Sequence, residues 1–392
     1  MTRIFDDSAL AIVAHVLAHG PLSRADTARD LDLSPATLTR LVRPLISSGT
    51  ISEVRSGKST TGMGRPTKLL EVASNNRSFI GINLTSTTIH CVRTDTHARI
   101  ISSKAIPIQN QTATECLKQL KNLIAEYTHS ADHPPVEGVG ISLGGKIGKS
   151  SVIESRFLGW RSVNLGTLFA GTTAEDAPNI EIVNDVASLT MLEQWFGLGR
   201  HCEDFVVATI GAGVGHGMVH NLRAVRSPLG GLGMTAHLPL AGAHGVCQHG
   251  HVGCASGALT VPAVLSRAQA GRAITEDENS PTSAEELIQL ADSGDKSCRR
   301  AIAEFAESLA VYVQTVASAA LVMDVVLDGE GVCLLESHWA ANFDKHLNSY
   351  ARPDDPRITV HRRSGSFERW AQGAAVAAIV KWLIRATSSA KW

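Results

Sequence analysis

LSRADTARDLDLSPATLTRLVRPLISS, residues 22–48, decides how the chain begins. Two apolar sets recur in it at helical spacing: Leu22, Ala25, Ala28 and Leu31, then Leu38, Leu41, Leu45 and Ile46. The pattern predicts two short helices joined by a tight turn. Ser34 reads as the N-cap of the second helix and Pro35 as its first residue, where a missing N–H costs nothing. Pro44 removes an internal backbone bond and predicts a kink. Ala36, Thr37, Thr39, Arg40 and Arg43 are left on the open side, small and hydroxylated residues first and arginines a turn later. Such a face suits a helix laid in the major groove of duplex DNA, with Thr37, Thr39 and Arg40 on bases and Arg43 on phosphate.

The next residues read as a basic wing. Ile51–Val54 and Lys68–Val72 look like two strands of a hairpin, and SGKSTTGMGRPT (56–67) between them is too rich in Gly, Ser and Thr to pack, so it is expected to order on DNA. From Arg40 to Lys68, six cations (Arg40, Arg43, Arg55, Lys58, Arg65, Lys68) face one acid, Glu53, in a chain of formal net charge −1. Charge gathered on one element is the footprint of phosphate contact. Lys58 is expected on phosphate, and Arg65, between Gly64 and Pro66, in a narrow minor groove. The alternative is a helical hairpin for protein contact, with Arg40 and Arg43 merely solvated.

A length of 392 residues exceeds one ordinary core and predicts two or three domains. Hydrophobic residues make up 44% and charged residues 19%, as in a globular chain. No run reaches the ~20 apolar residues of a membrane span, and the acids of MTRIFDDSAL stand where a signal peptide has its apolar core. Seven scattered cysteines, an odd number, make no disulfide framework and point to a reducing cytoplasm.

Past a polar joint at 74–78 the pattern becomes α/β. Phe79–Leu84, Thr88–Arg93 and Ile100–Ile108 read as strands, followed by a helix at Thr112–Tyr127 and strands at Val136–Leu143 and Ile180–Val183. Asn184-Asp185 then opens a helix to about Phe196. The plan restarts with Phe205–Ile210, a Gly-rich turn and Val214–His220, then a long helix at Cys298–Leu321 and a strand at Val325–Leu327. A closing helix, Ala371–Arg385, is expected to pack back on the first lobe. The expected boundaries are a head at 1–73, a first lobe at 74–190 joined by the helix within 371–390, and a second lobe at 191–370.

Two features of the second lobe carry chemistry. TIGAGVGHG (209–217) is a turn whose backbone N–H groups can approach a phosphate, although glycines also serve tight turns between paired strands. His237 and the segment Cys247-Gln-His249-Gly-His251-Val-Gly-Cys254 have the donors to close a tetrahedron around zinc. The expected ligands are His237, Cys247, His249 and Cys254, with His251 and His244 in reserve.

Taken over residues 10–390, the chain resembles the ROK family, which groups sugar-responsive repressors with sugar kinases. The resemblance rests on the head with Gly64-Arg65-Pro66, Gly159-Trp160, Asn184-Asp185, Gly211-Ala-Gly-Val-Gly215, His237 and Cys247–Cys254. It implies an N-terminal winged helix-turn-helix followed by a two-lobed, actin-like ATPase α/β fold, with a ligand in the cleft between lobes. The family's metal segment is Cys-x-Cys-Gly-x-x-Gly-Cys, so His249 replaces its middle cysteine.

Departures from the family pattern point away from catalysis. The kinases' Asp-x-Gly-Gly-Thr-Lys turn, which holds ATP phosphates, is here Asn83-Leu84-Thr85-Ser86-Thr87-Thr88. Asp185 matches the family's catalytic base, but a base without a phosphate donor makes no kinase; otherwise Asp185 serves as a helix N-cap. Sugar-contacting positions have changed as well: a glutamate is Met234, another is Ser256, and an asparagine is Phe157. With Trp160, Asn164, Asn184, Asp185 and His237 they predict a less acidic pocket for a small effector other than a standard hexose.

Together these readings predict a ligand-responsive, DNA-binding repressor without enzymatic activity. It would act as a homodimer or tetramer on a palindromic operator, with zinc fixing loop 237–254 and no membrane partner. The alternatives are a degenerate kinase with residual phosphoryl transfer, a regulator controlled by a partner protein, and a pocket that only scaffolds the dimer.

Overall fold

The structure is a computed structural model that describes residues 8–55, 68–73, 77–110, 112–130, 132–148, 151–165, 179–225, 235–273, 280–349, 352–363 and 365–389. It divides into two compact units, Met1–His201 with Asn221–Arg223 and Trp370–Trp392, and Cys202–His220 with Ala224–Arg369.

The first unit opens with the head. Helices Ser8–His19, Arg24–Asp30 and Pro35–Ser47 accompany a small antiparallel sheet in the order Leu22–Ser23, Lys68–Val72, Ile51–Arg55. The first helix is not foreseen from the sequence, because SALAIVAHVLAH is apolar on nearly every side and shows no clear stripe. The second begins later than the helical spacing of Leu22 and Ala25 suggests. Leu22 and Ser23 instead pair with Leu70 and Leu69, and Ser23 becomes the cap, its Oγ accepting the Asp26 N–H. Leu38, Leu41, Val42 and Leu45 bury the inner face of the third helix against this core.

Behind the head in sequence comes a five-stranded sheet in the order Asn179–Asn184, Val136–Leu143, Ser78–Leu84, Thr88–Thr94, Ile100–Pro107. The first three strands run parallel and the last two antiparallel. Ser78–Leu84 is buried at every residue, which is why its sequence is mostly apolar without alternation. Helix Phe367–Ser389, from Trp370 onward, packs on this sheet. Its backbone comes so close that a β-carbon at Gly81 would collide with the Ala371 carbonyl, and one at Gly140 with that of Ala374. Ala371, Ala374, Ala375 and Ala378 are buried and supply a correspondingly small surface. A ribbon of three short strands, Lys146–Ile147, Ser151–Ser155 and Trp160–Asn164, completes the unit.

A second five-stranded sheet, in the second unit apart from Arg223, has the order Arg223–Ala224, Val214–His220, Phe205–Ile210, Asp324–Asp328, Thr359–Arg362. Helix Lys296–Ala320 forms the spine of the second unit's core, capped by Asp295 accepting the Cys298 N–H at 2.8 Å. Its Phe305, Leu309, Tyr312 and Val313 are fully buried. All seven cysteines are free, and among the described residues no helix is long and apolar enough to cross a membrane.

Gly140→Ala is expected to lower the stability of the chain by about 1–3 kcal/mol, since the added methyl meets immovable helix backbone. Thermal unfolding followed by circular dichroism checks this; an unchanged midpoint would remove close approach as the constraint on this packing.

Candidate nucleic-acid interface, pocket residues and metal centre

Pro35, Ala36, Thr39, Arg40, Arg43 and Pro44 share one shallow, open face of the helix Pro35–Ser47. Ser34 caps the helix as expected: its Oγ accepts the Thr37 N–H at 3.1 Å. Ala36, Thr39, Arg40 and Arg43 are exposed. Thr37 is half-buried and its hydroxyl lies 2.8 Å from Ser34 Oγ, so it belongs to the cap more than to the open face. The helix runs through Pro44 to Ser47, with the Ser48 N–H bonding the Pro44 carbonyl at 2.9 Å. On the adjoining sheet Glu53 accepts from Lys68 at 2.7 Å and from Arg24 at 2.9 Å, and these two bonds hold its carboxyl below the ordinary value. Lys68 is therefore bound up in the sheet's own charge balance, apart from Arg40 and Arg43. Lys58 and Arg65 lie outside the described residues, as does Met234.

Among the pocket candidates of the first unit, Phe157 and Asp185 meet over Gly144, where a β-carbon would stand 2.7 Å from the Phe157 ring and 3.2 Å from Asp185 Oδ2. Asp185 is not the N-cap of its helix. Asn184 takes that role, accepting the Ala187 N–H at 3.2 Å and donating to the Gly145 carbonyl at 3.1 Å, so its amide is engaged at both ends. Asp185 Oδ1 accepts the next N–H, of Val186, at 2.8 Å. Trp160 departs from expectation: at 4% exposure it belongs to the apolar core, where it anchors the strand Trp160–Asn164, while Asn164 is exposed at that strand's end.

The turn after the first strand is closed upon itself. Thr85 Oγ1 accepts the N–H groups of Thr87, at 3.3 Å, and Thr88, at 2.9 Å. Asn83 is buried, with its amide donating to Ser142 Oγ at 3.1 Å. Backbone donors of the kind that hold a phosphate are here satisfied by the turn's own hydroxyl.

In the second unit the side chains of His237, Cys247, His251 and Cys254 converge, each ligand atom within 4.8 Å of the others. Two thiols and two imidazoles at that spacing fit a four-coordinate metal after small side-chain adjustments. The placement of His251 corrects the expected ligand set, which named His249. Val246 bridges Val252, the Cys247 N–H bonds the His251 carbonyl at 3.0 Å, and Gly250 turns the chain at a φ of +80°. This hairpin sets residue 251 opposite residue 247 and puts His249 at its tip. His249 still stands close, its ring centroid 5.1 Å from that of His237, and its N–H points at Cys247 Sγ at 3.4 Å. Burial raises the Cys247 thiol, but N–H groups of His249 and His251 outweigh it and bring the thiol below its usual value; burial raises Cys254. Ser256, half-buried, begins the next turn of chain in helix Ala255–Leu259.

Comparison with known proteins puts a family to this architecture. The ROK family profile matches residues 79–380, more than half of the chain. The chain is 27% identical over 318 residues, 78% of each chain, to a protein named xylose repressor from Caldicellulosiruptor bescii. It is 25% identical over 240 residues, 60% of this chain and 58% of the relative, to the DNA-binding transcriptional dual regulator NagC of Escherichia coli. Among solved structures, a ROK family transcriptional regulator described as a homolog of the E. coli MLC protein superposes with a TM-score of 0.78 at 19% identity, covering 98% of this chain and 100% of its own. A ROK family glucokinase from Streptomyces griseus superposes with a TM-score of 0.62 at 20% identity, covering 77% of this chain and 99% of its own. Both likenesses concern the fold. The first extends over nearly the whole chain, whose helical, small-sheet head fits a winged helix-turn-helix, and the second over the 77% that shares the actin-like architecture of the kinase. The chain belongs to the ROK family.

Proposed function

We propose that this protein is a DNA-binding transcriptional repressor whose ROK portion senses a small molecule and does not phosphorylate it. The observation that carries the reading is the exposed face of helix Pro35–Ser47, where Ala36, Thr39, Arg40 and Arg43 share one open surface on a helix whose N-terminus is capped by Ser34. Arg40 has the reach for a guanine edge and Arg43 for phosphate. Two copies of the chain would read a palindromic operator, with Lys58 and Arg65 adding phosphate and minor-groove contacts. The names of two relatives, a xylose repressor and a DNA-binding transcriptional dual regulator, agree with this reading.

The ligand site proposed for the first unit is framed by Phe157 and Asp185. A site framed by a carboxylate and an aromatic ring would favour an effector with fewer hydroxyls than a hexose. Xylose, a pentose named for one of the relatives, is the first ligand to titrate. The metal we assign to the His/Cys cluster is zinc, held by Cys247, Cys254, His237 and His251. When bound, it ties the loop ends together as a structural cross-link.

Two outcomes test the reading. Arg40→Ala should weaken binding to a selected operator by about 1–3 kcal/mol and relax its sequence preference, while Arg43→Ala weakens all DNA alike and lowers the salt slope by about one. Fluorescence anisotropy across a salt series measures both; DNA binding without sequence preference or salt dependence would sink the regulator reading. For the metal, Cys247→Ala and His251→Ala should lose zinc by elemental analysis and melt earlier, whereas His249→Ala keeps the ion. Retention by His251→Ala with loss by His249→Ala would return the fourth ligand to position 249.

A further inference from the structure

The Gly-rich turn of the second unit has a resident anion. Strands Phe205–Ile210 and Val214–His220 form a hairpin in which Ile210 pairs with Val214, and Gly211-Ala212-Gly213 is the bend between them. Bends of this kind hold phosphate by offering backbone N–H groups with no β-carbon in the way. Here the Ala212 N–H donates to Glu330 Oε1 at 2.6 Å. The position where a β-carbon of Gly211 would stand is overrun by the same carboxylate. Glu330 is delivered there by its neighbours. Gly329, at a φ of +103°, lies against the Ile210 carbonyl, and Gly331 lies against the Ile210 side chain, so the two loops touch on either side of residue 330. Gly365, at a φ of +67°, closes in on the Gly329 carbonyl from behind. Ala212 is exposed, so a dissolved anion has access to the bend.

We propose that Glu330 is an internal phosphate surrogate: its carboxylate fills the anion-binding bend at Gly211-Ala212 and excludes phosphate and phosphate esters from it. A charged carboxylate accepting a backbone N–H makes the same charge-assisted bond that a phosphate oxygen would make, and its negative charge repels a second anion. The assignment rests on the geometry of this bend and is independent of the DNA reading, so either can fail alone.

The test is isothermal titration of the full chain with inorganic phosphate and, separately, with ATP. The wild type is compared with Glu330→Ala, which empties the bend, and Glu330→Gln, which keeps size and removes charge. Wild type is expected to take up neither anion measurably. Both variants should gain affinity for at least one of them, by roughly tenfold or more, the order expected when a like charge in direct contact is removed. A gain for phosphate alone assigns the bend to the free anion, and a gain for ATP to a nucleotide's phosphates; either supports the surrogate. Wild-type affinity equal to that of the variants, or no gain in either variant, overturns it. Should Glu330→Ala fail to fold, the near-isosteric Glu330→Gln decides between the same outcomes.

Discussion

Two positions without a β-carbon, Gly81 and Gly140, fix how near the helix Phe367–Ser389 can lie to the first sheet, and much else in that unit follows from this spacing. A helix at such short range can offer only small residues, hence the run of buried alanines from Ala371 to Ala378. The sheet in turn can carry strands that are apolar on both faces, because the helix covers one of them. With strands and helix held this way, the ends of Val136–Leu143 and Asn179–Asn184 are placed side by side, and Gly144 and Asp185 come together beyond them. The candidate pocket is thus set by backbone packing several residues away from any ligand.

Backbone donors explain the chemical character of the chain better than its fold does. A tight turn leaves N–H groups pointing the same way, and something must accept them. In the first unit the acceptor at residues 85–88 is the Thr85 hydroxyl, and in the second the acceptor at residue 212 is the Glu330 carboxylate. Each turn supplies its own acceptor. The same fold occurs in a solved kinase, and here both turns have a side-chain acceptor. The fold alone did not decide the function.

Much of this was legible in the sequence, for identifiable reasons. Ser34-Pro35 marked the start of the helix Pro35–Ser47 because capping is local chemistry, and the strands 79–84, 136–143 and 205–210 showed themselves as mostly apolar runs. The helix Ser8–His19 escaped because a segment buried nearly all round has no polar face to set its phase. Trp160 looked like a pocket residue beside Gly159, but its burial depends on strands that sequence spacing does not reveal. The exchange of His249 for His251 has the same origin, since which histidine faces Cys247 is settled by the left-handed turn at Gly250. Glu330 stands 118 residues beyond its partner, and no local pattern connects them.

The closing helix also sets an order of events during synthesis. The sheet it covers is complete in sequence by Asn184, yet Trp370 emerges about 190 residues later. At ribosomal speeds of about 5–20 residues per second, that interval lasts roughly 10 to 40 s. Throughout it the face of strands Ser78–Leu84 and Val136–Leu143 that awaits Ala371 and Ala374 is bare apolar surface on a nascent chain. The head, whose three helices and sheet are all encoded before residue 73, has no such wait. Nascent copies of this protein therefore carry a finished head well before the first sheet is covered, and a chaperone that shields apolar strands would act on that sheet.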